Sequence, residues 1–184
     1  MASVFDTIKM KAGDTDRSNN WYRGQVNRIA SGTTARELFR QGKLARRPSV
    51  GRLNLFGYNP KLRRTLPYYD IFPLVLPLEG ISGGFIGMNF HYLPPLLRFK
   101  LLERMQATAS DRRFDKNTRF EVAYDDVKNI KIVKPTIKKY LYSYVQTGFL
   151  RINADEAATA IYLPVQRFKK ASVGQVYADS RRFI

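Results

Sequence analysis

The chain has 184 residues, 44% of them hydrophobic and 13% aromatic, with 32 Lys and Arg against 15 Asp and Glu, a formal net charge of +17. That length suits one domain, and that apolar content excludes a disordered polycation, which would lack aromatic and β-branched residues. The chain has no cysteine, which excludes disulfides, Cys-ligated zinc and thiol catalysis and fits a reducing compartment.

The first residues, MASVFDTIKMKAGD, hold no continuous apolar run, so no signal peptide is expected. Nor is there a run of about 18 apolar residues anywhere, so no membrane insertion is expected. Residues 1–20 read as an N-terminal arm in which Val4, Phe5, Ile8 and Met10 anchor a short helix. Residues 21–184 read as one α+β domain. Asp16 or Ser18 caps a helix near Asn20–Ala30, with Trp21, Val26 and Ile29 near one face. Thr33 or Thr34 caps another through Leu38 and Phe39, and Gly42 ends it. KLARRPSVGR, residues 43–52, is a basic linker.

The period then changes from helical to alternating. Leu53 and Leu55 alternate with Arg52 and Asn54 as a half-buried strand. Tyr68–Glu79 reads as a strand in which Pro73 and Pro77 force an edge, a bulge or a bend, because proline donates nothing to a ladder. Ser82, Gly83 and Gly84 form a hairpin turn. From Phe85 to Leu93, Ile86, Met88, Phe90 and Tyr92 share one face, and Gly87, Asn89 and His91 the other. Pro94 and Pro95 open a helix whose apolar side holds Leu97, Leu101, Leu102 and Met105, with Arg98, Lys100 and Arg104 among the rest.

SDRRFDKNTR is a polar loop, and Phe120, Val122 and Tyr124 alternate as a further strand. Asp125-Asp126 reads as a helix cap. The spacing of Ile137, Tyr140, Leu141, Tyr144 and Phe149 predicts a helix over Thr136–Leu150. Asn153–Glu156 is a capping box for a short helix, Ile161–Val165 a strand, and Ser172–Arg182 a final helix. The expected architecture is α+β: a small, bent, barrel-like antiparallel sheet with helices packed on it.

Catalytic chemistry finds little here. His91 is the one histidine, with no acidic cluster beside it in the sequence, and reads as a structural residue. The acids are scattered, so Asp70 and Glu79 lack the converging carboxylates and nearby lysine of a magnesium nuclease. No G-x-S-x-G is present, and Gly80, Gly83, Gly84 and Gly87 make no P-loop. No catalytic residue, metal or cofactor is expected.

Cations carry the signal. Between Arg36 and Arg64 lie Arg36, Arg40, Lys43, Arg46, Arg47, Arg52, Lys61, Arg63 and Arg64, opposed only by Glu37. Further groups follow at Arg112, Arg113, Lys116 and Arg119, at Lys128–Lys139, and at Arg167, Lys169 and Lys170. Tyr58, Tyr68, Tyr69, Tyr140 and Tyr142 are interleaved. Such charge neutralises phosphates and releases counterions, and tyrosines stack on exposed bases. The candidate phosphate contacts are Arg46, Arg47, Lys61, Arg63, Arg64, Arg112, Arg113, Lys138 and Lys139. Double-stranded DNA is the first partner these imply. Acidic neighbours in a protein assembly are the second and an anionic membrane surface the third.

FGYNPKLRRTLPYYDIFPLVLPLE, GGFIGMNFHYLPPLLRFKLLERM and YLPVQRFKKASVGQVYADSRRFI, with the opening FDTIK and RSNNWYRGQV, resemble a family of small basic proteins of T-even-like tailed bacteriophages. Members carry the label DNA end protector. The resemblance implies a non-enzymatic virion protein, made in the host cytoplasm, that binds the ends of packaged linear DNA and shields them from exonuclease. It supplies no catalytic motif, so Tyr68, Tyr69, Asp70, His91, Tyr92, Leu93 and Pro94 stand as scaffold. The alternative is a structural tail, neck or baseplate component whose basic surface pairs with acidic virion proteins.

Overall fold

A computed structural model describes residues 3–14, 17–108 and 127–184, with side chains through Met105 in the second stretch. The loop at 110–119 with Arg112 and Arg113, the strand expected at Phe120–Tyr124, the Asp125-Asp126 cap and the candidate cap Asp16 all lie outside the described residues. Six α-helices are described: α1 (Val4–Ala12), α2 (Asn19–Ile29), α3 (Ala35–Gln41), α4 (Pro95–Thr108), α5 (Ala157–Tyr162) and α6 (Val173–Arg181). The strands are β1 (Leu44–Ala45), β2 (Leu53–Leu55), β3 (Tyr69–Asp70), β4 (Leu74–Ile81), β5 (Gly84–Asn89), β6 (Ile137–Leu141), β7 (Phe149–Ile152) and β8 (Phe168–Lys169).

The main sheet is antiparallel in the order β1-β7-β2-β4-β5-β6, and β3 pairs with β8 in a second, two-stranded sheet. The fold is therefore α+β, as the sequence predicts. The sheet is open, with β1 and β6 at its edges among the described residues, so the barrel-like curvature does not close.

Alternation sorts side chains to two faces. Leu74, Leu76 and Leu78 of β4 join Leu150 and Ile152 of β7 in the large core beneath the helices. Val75 and Phe149 point the other way, into an aromatic cluster with Phe56, Tyr58, Phe85 and Tyr140. Its rings lie close: Phe56–Phe149 at 4.8 Å and Tyr58–Tyr140 at 4.9 Å between centroids. On the helical side, α1 buries Phe5, Ile8 and Ala12 in the large core.

Caps form where side-chain oxygens precede helices. Ser18 caps α2, Thr34 and Glu37 box α3, and Ser172 caps α6. Pro77 sits in an interior strand, yet β2 pairs only with Leu74 and Val75, and a register shift follows between Pro77 and Glu79. The bulge absorbs the missing donor. Glycine decides one close approach: a Cβ on Gly84 would stand 2.0 Å from the Tyr140 carbonyl oxygen. Gly83, at φ +72°, makes the turn before it.

Three expected elements are overturned. The helix expected over Thr136–Leu150 is instead β6, a 3₁₀ turn at Tyr142–Tyr144 and β7. Its aromatic and β-branched residues gain more on a pleated surface, where Tyr140 and Phe149 enter the aromatic cluster. The strand expected at Ile161–Val165 begins inside α5, because the Asn153–Glu156 box starts a helical run whose alanines pack against the core. The alternation of Phe85–Leu93 stops at Asn89. There the Asn89 side chain accepts from the His91 N–H at 3.0 Å and turns Phe90–Tyr92 into a 3₁₀ helix.

Candidate nucleic-acid interface

The segment after β2 carries the cations Lys61, Arg63 and Arg64, all exposed. Its base is fixed by backbone bonds. Tyr58 N–H donates to Ile71 O at 2.9 Å and Asn59 N–H to Tyr144 O at 3.0 Å. Within it, Leu66 N–H donates to Leu62 O at 2.9 Å. From the far end of the chain, the Lys170 ammonium donates to the carbonyls of Arg64 and Leu66 at 2.8 and 2.9 Å. The loop is thus held by main-chain acceptors, and its own cations stay available.

Two cavities flank this loop and share Pro60, Lys61 and Leu62. The smaller, about 370 Å³, is lined by residues 60–65 and Tyr144. The larger, about 750 Å³, runs from Lys61 past Tyr68 and Tyr92 to Lys134, Lys138 and Lys139. Lys138 is mostly buried there. Its ammonium donates to Pro135 O at 2.9 Å and stands 4.1 Å from the centre of the Tyr92 ring, and burial pushes its pKa down to about 8. Lys139, its neighbour on β6, is exposed. Arg47 lies 4.3 Å over the Tyr142 ring, on the same 3₁₀ turn that supplies Tyr144 to the smaller cavity.

The sequence-predicted residues therefore separate. Lys61, Lys138 and Lys139 meet around one cavity, with Arg63 and Arg64 around its neighbour. Arg46 and Arg47 are exposed and line neither cavity, with Arg47 over the Tyr142 ring. Arg112 and Arg113 lie outside the described residues. Lys134 and Tyr92 were missed as lining residues. Lys134 stands four residues before Lys138, a spacing visible in the sequence, but a helix over 136–150 would have scattered this wall.

Beneath the larger cavity lies a buried polar network. The Asp70 carboxylate accepts from His91 Nδ1 at 2.8 Å, Asn89 Nδ2 at 3.4 Å, Phe72 N–H at 3.0 Å and Arg167 N–H at 3.2 Å. Burial pushes the His91 imidazole below its ordinary range, against the pull of Asp70. The His91 side chain has no solvent exposure, so in this arrangement it meets no substrate. Arg98, expected among the polar residues of its helix, is fully buried instead. It falls on the stripe of Leu101, Leu102 and Met105 at helical spacing, which is the signal that could have found it. Its guanidinium donates to the carbonyls of Leu93 (2.7 Å), Ile161 (2.9 Å) and His91 (3.3 Å) and to the Tyr177 hydroxyl (2.6 Å). The network ties β3, β5, α4, α5 and α6 into one floor. Among the described residues, no three His, Asp or Glu side chains gather to hold a metal.

A basic α+β scaffold with cations gathered on one tyrosine-rich face is the class this geometry defines. The family model of the phage T4 terminal DNA protecting protein matches residues 5–183, and the chain belongs to that family. No curated protein and no solved structure matches the chain. Among the described residues, no helix is long and apolar enough to cross a membrane.

Proposed function

We propose that this chain binds the ends of linear double-stranded DNA, without turnover, and shields them from exonuclease in the virion. The observation that carries the reading is the convergence of Lys61, Arg63, Arg64, Lys134, Lys138 and Lys139 on two adjoining cavities walled by tyrosines. Family membership supports it. Lysine and arginine supply affinity through counterion release, independent of sequence, which suits a protein that must hold an end whatever its bases. Arg46, Arg47, Arg112 and Arg113 are the further candidate phosphate contacts, the last two lying outside the described residues.

The test is an exonuclease that needs a free end. Linear duplex saturated with the protein is expected to outlast naked duplex, with intact length as the readout. Digestion at the naked rate despite saturation would sink the protective role. If no DNA binds at all, the cations belong to an interface with acidic virion proteins instead.

A further inference from the structure

The larger cavity has a property that phosphate-backbone binding does not require. It is a recess, where a flat basic face would serve to hold a duplex. At about 750 Å³ it falls within the range of pockets that enclose a small ligand, about 300–1,000 Å³. A duplex, whose major groove alone admits an entire α-helix, is too large to enter it.

Its lining is of two kinds. One side is apolar and aromatic, with Leu66, Pro67, Tyr68 and Tyr92. Tyr68 is half-buried, with its ring centroid 6.0 Å from that of Tyr92. The other side is cationic, with Lys134, Lys138 and Lys139, and Lys61 closes the rim. Asp70 also lines the cavity, but protein donors occupy its carboxylate.

Lys138 is the unexplained group. A buried ammonium is costly unless an anion compensates it. Here its partners are one neutral carbonyl and one ring face, and no ion pair to it exists among the described residues. Among the described residues no carboxylate offsets the burial that pushes its pKa down. The site has an aromatic wall for a base and an uncompensated cation for a phosphate.

We propose that this cavity takes the terminal nucleotide of a DNA strand, its end phosphate against Lys138 and its base against the tyrosine wall. The inference rests on the end-binding reading and adds to it a stated mode: the strand terminus is unpaired and seated, so that the last nucleotide is withheld from an exonuclease. The ligand class is a phosphorylated strand end, distinguished from internal phosphates by its ability to leave the duplex stack.

The experiment compares three short duplexes of one sequence: one with phosphorylated ends, one with hydroxyl ends, and one with both ends closed by hairpin loops. Separate 5′- and 3′-phosphate versions locate the terminus that is seated. The wild-type protein is expected to bind a phosphorylated open end about ten- to a hundredfold more tightly than the closed duplex, as one charge-assisted contact allows. Lys138→Met is expected to lose that preference, so that open phosphorylated and closed forms bind it alike, whatever its overall affinity. A second readout needs no variant. Acetylation of Lys138, followed by mass spectrometry against exposed Lys139, is expected to be blocked by the open phosphorylated duplex and not by the closed one. Equal affinity for all three duplexes, or equal blocking by open and closed forms, overturns the seated terminus while leaving general DNA binding intact. Failure to bind any of them overturns the end-binding reading itself.

Discussion

Replacing Lys61, Arg63 and Arg64 together with glutamate is expected to weaken binding to linear duplex DNA by about 3 kcal/mol or more, on the order of a hundredfold, at about 1 kcal/mol per screened contact. The salt dependence should flatten in step, its slope falling by roughly one unit per lost phosphate contact. The fold should tolerate the change. All three side chains are exposed, and none is in an ion pair among the described residues. What shapes the loop is its backbone: Lys170 grips the carbonyls of Arg64 and Leu66, and Asn59 N–H holds Tyr144 O. An unchanged melting temperature with lost affinity is therefore the expected pair of results. Unchanged affinity in about 100 mM salt would remove this patch from the interface.

Arg98→Met is expected to act in the opposite way, on stability first. The guanidinium satisfies three buried carbonyls and the Tyr177 hydroxyl. A thioether fills similar volume but donates nothing, so the carbonyls of Leu93, Ile161 and His91 lose their partner inside the core. Each orphaned acceptor costs about 1 kcal/mol or more, partly offset because a buried cation no longer needs desolvation. The net expectation is about 3 kcal/mol lost, and a melting temperature roughly 6–12 °C lower for a chain of this length. Arg98→Lys should recover little, since one ammonium cannot span acceptors on the His91–Leu93 turn, α5 and α6 as a planar fork does. A melting temperature equal to wild type would show that the network is not what holds the cavity floor.

Much of this was readable from local rules. Thr34 with Glu37, and Asn153 with Glu156, are capping boxes in sequence and in structure. Gly83 marks its turn because it alone there takes a positive φ, and Pro77 marks its bulge because it has no donor. Where local rules fail, tertiary contacts decide. Ile137, Tyr140, Leu141 and Tyr144 sit at spacings that suit a helix, but Tyr140 lies on Phe85 and Tyr58 across the sheet, and those partners are more than fifty residues away in the chain. That misreading hid the site. Lys138 and Lys139 look like adjacent charges on a helix surface. On β6 both line the cavity, Lys138 mostly buried and Lys139 exposed. The cations of 61–64 were legible as charge, while their meeting with Lys134–Lys139 is a product of the β5–β6 ladder and the brace from Lys170.

The measurement that bears most directly on the central claim is binding of the purified protein to one duplex sequence in blunt linear and covalently closed circular forms, across a salt series. The account predicts tighter binding to the linear form at every salt concentration. It also predicts a steep decline of affinity with salt, with a logarithmic slope on the order of −5 for about six neutralised phosphates. Equal affinity for linear and circular DNA would contradict it, leaving a surface that attracts polyanions and has no use for an end.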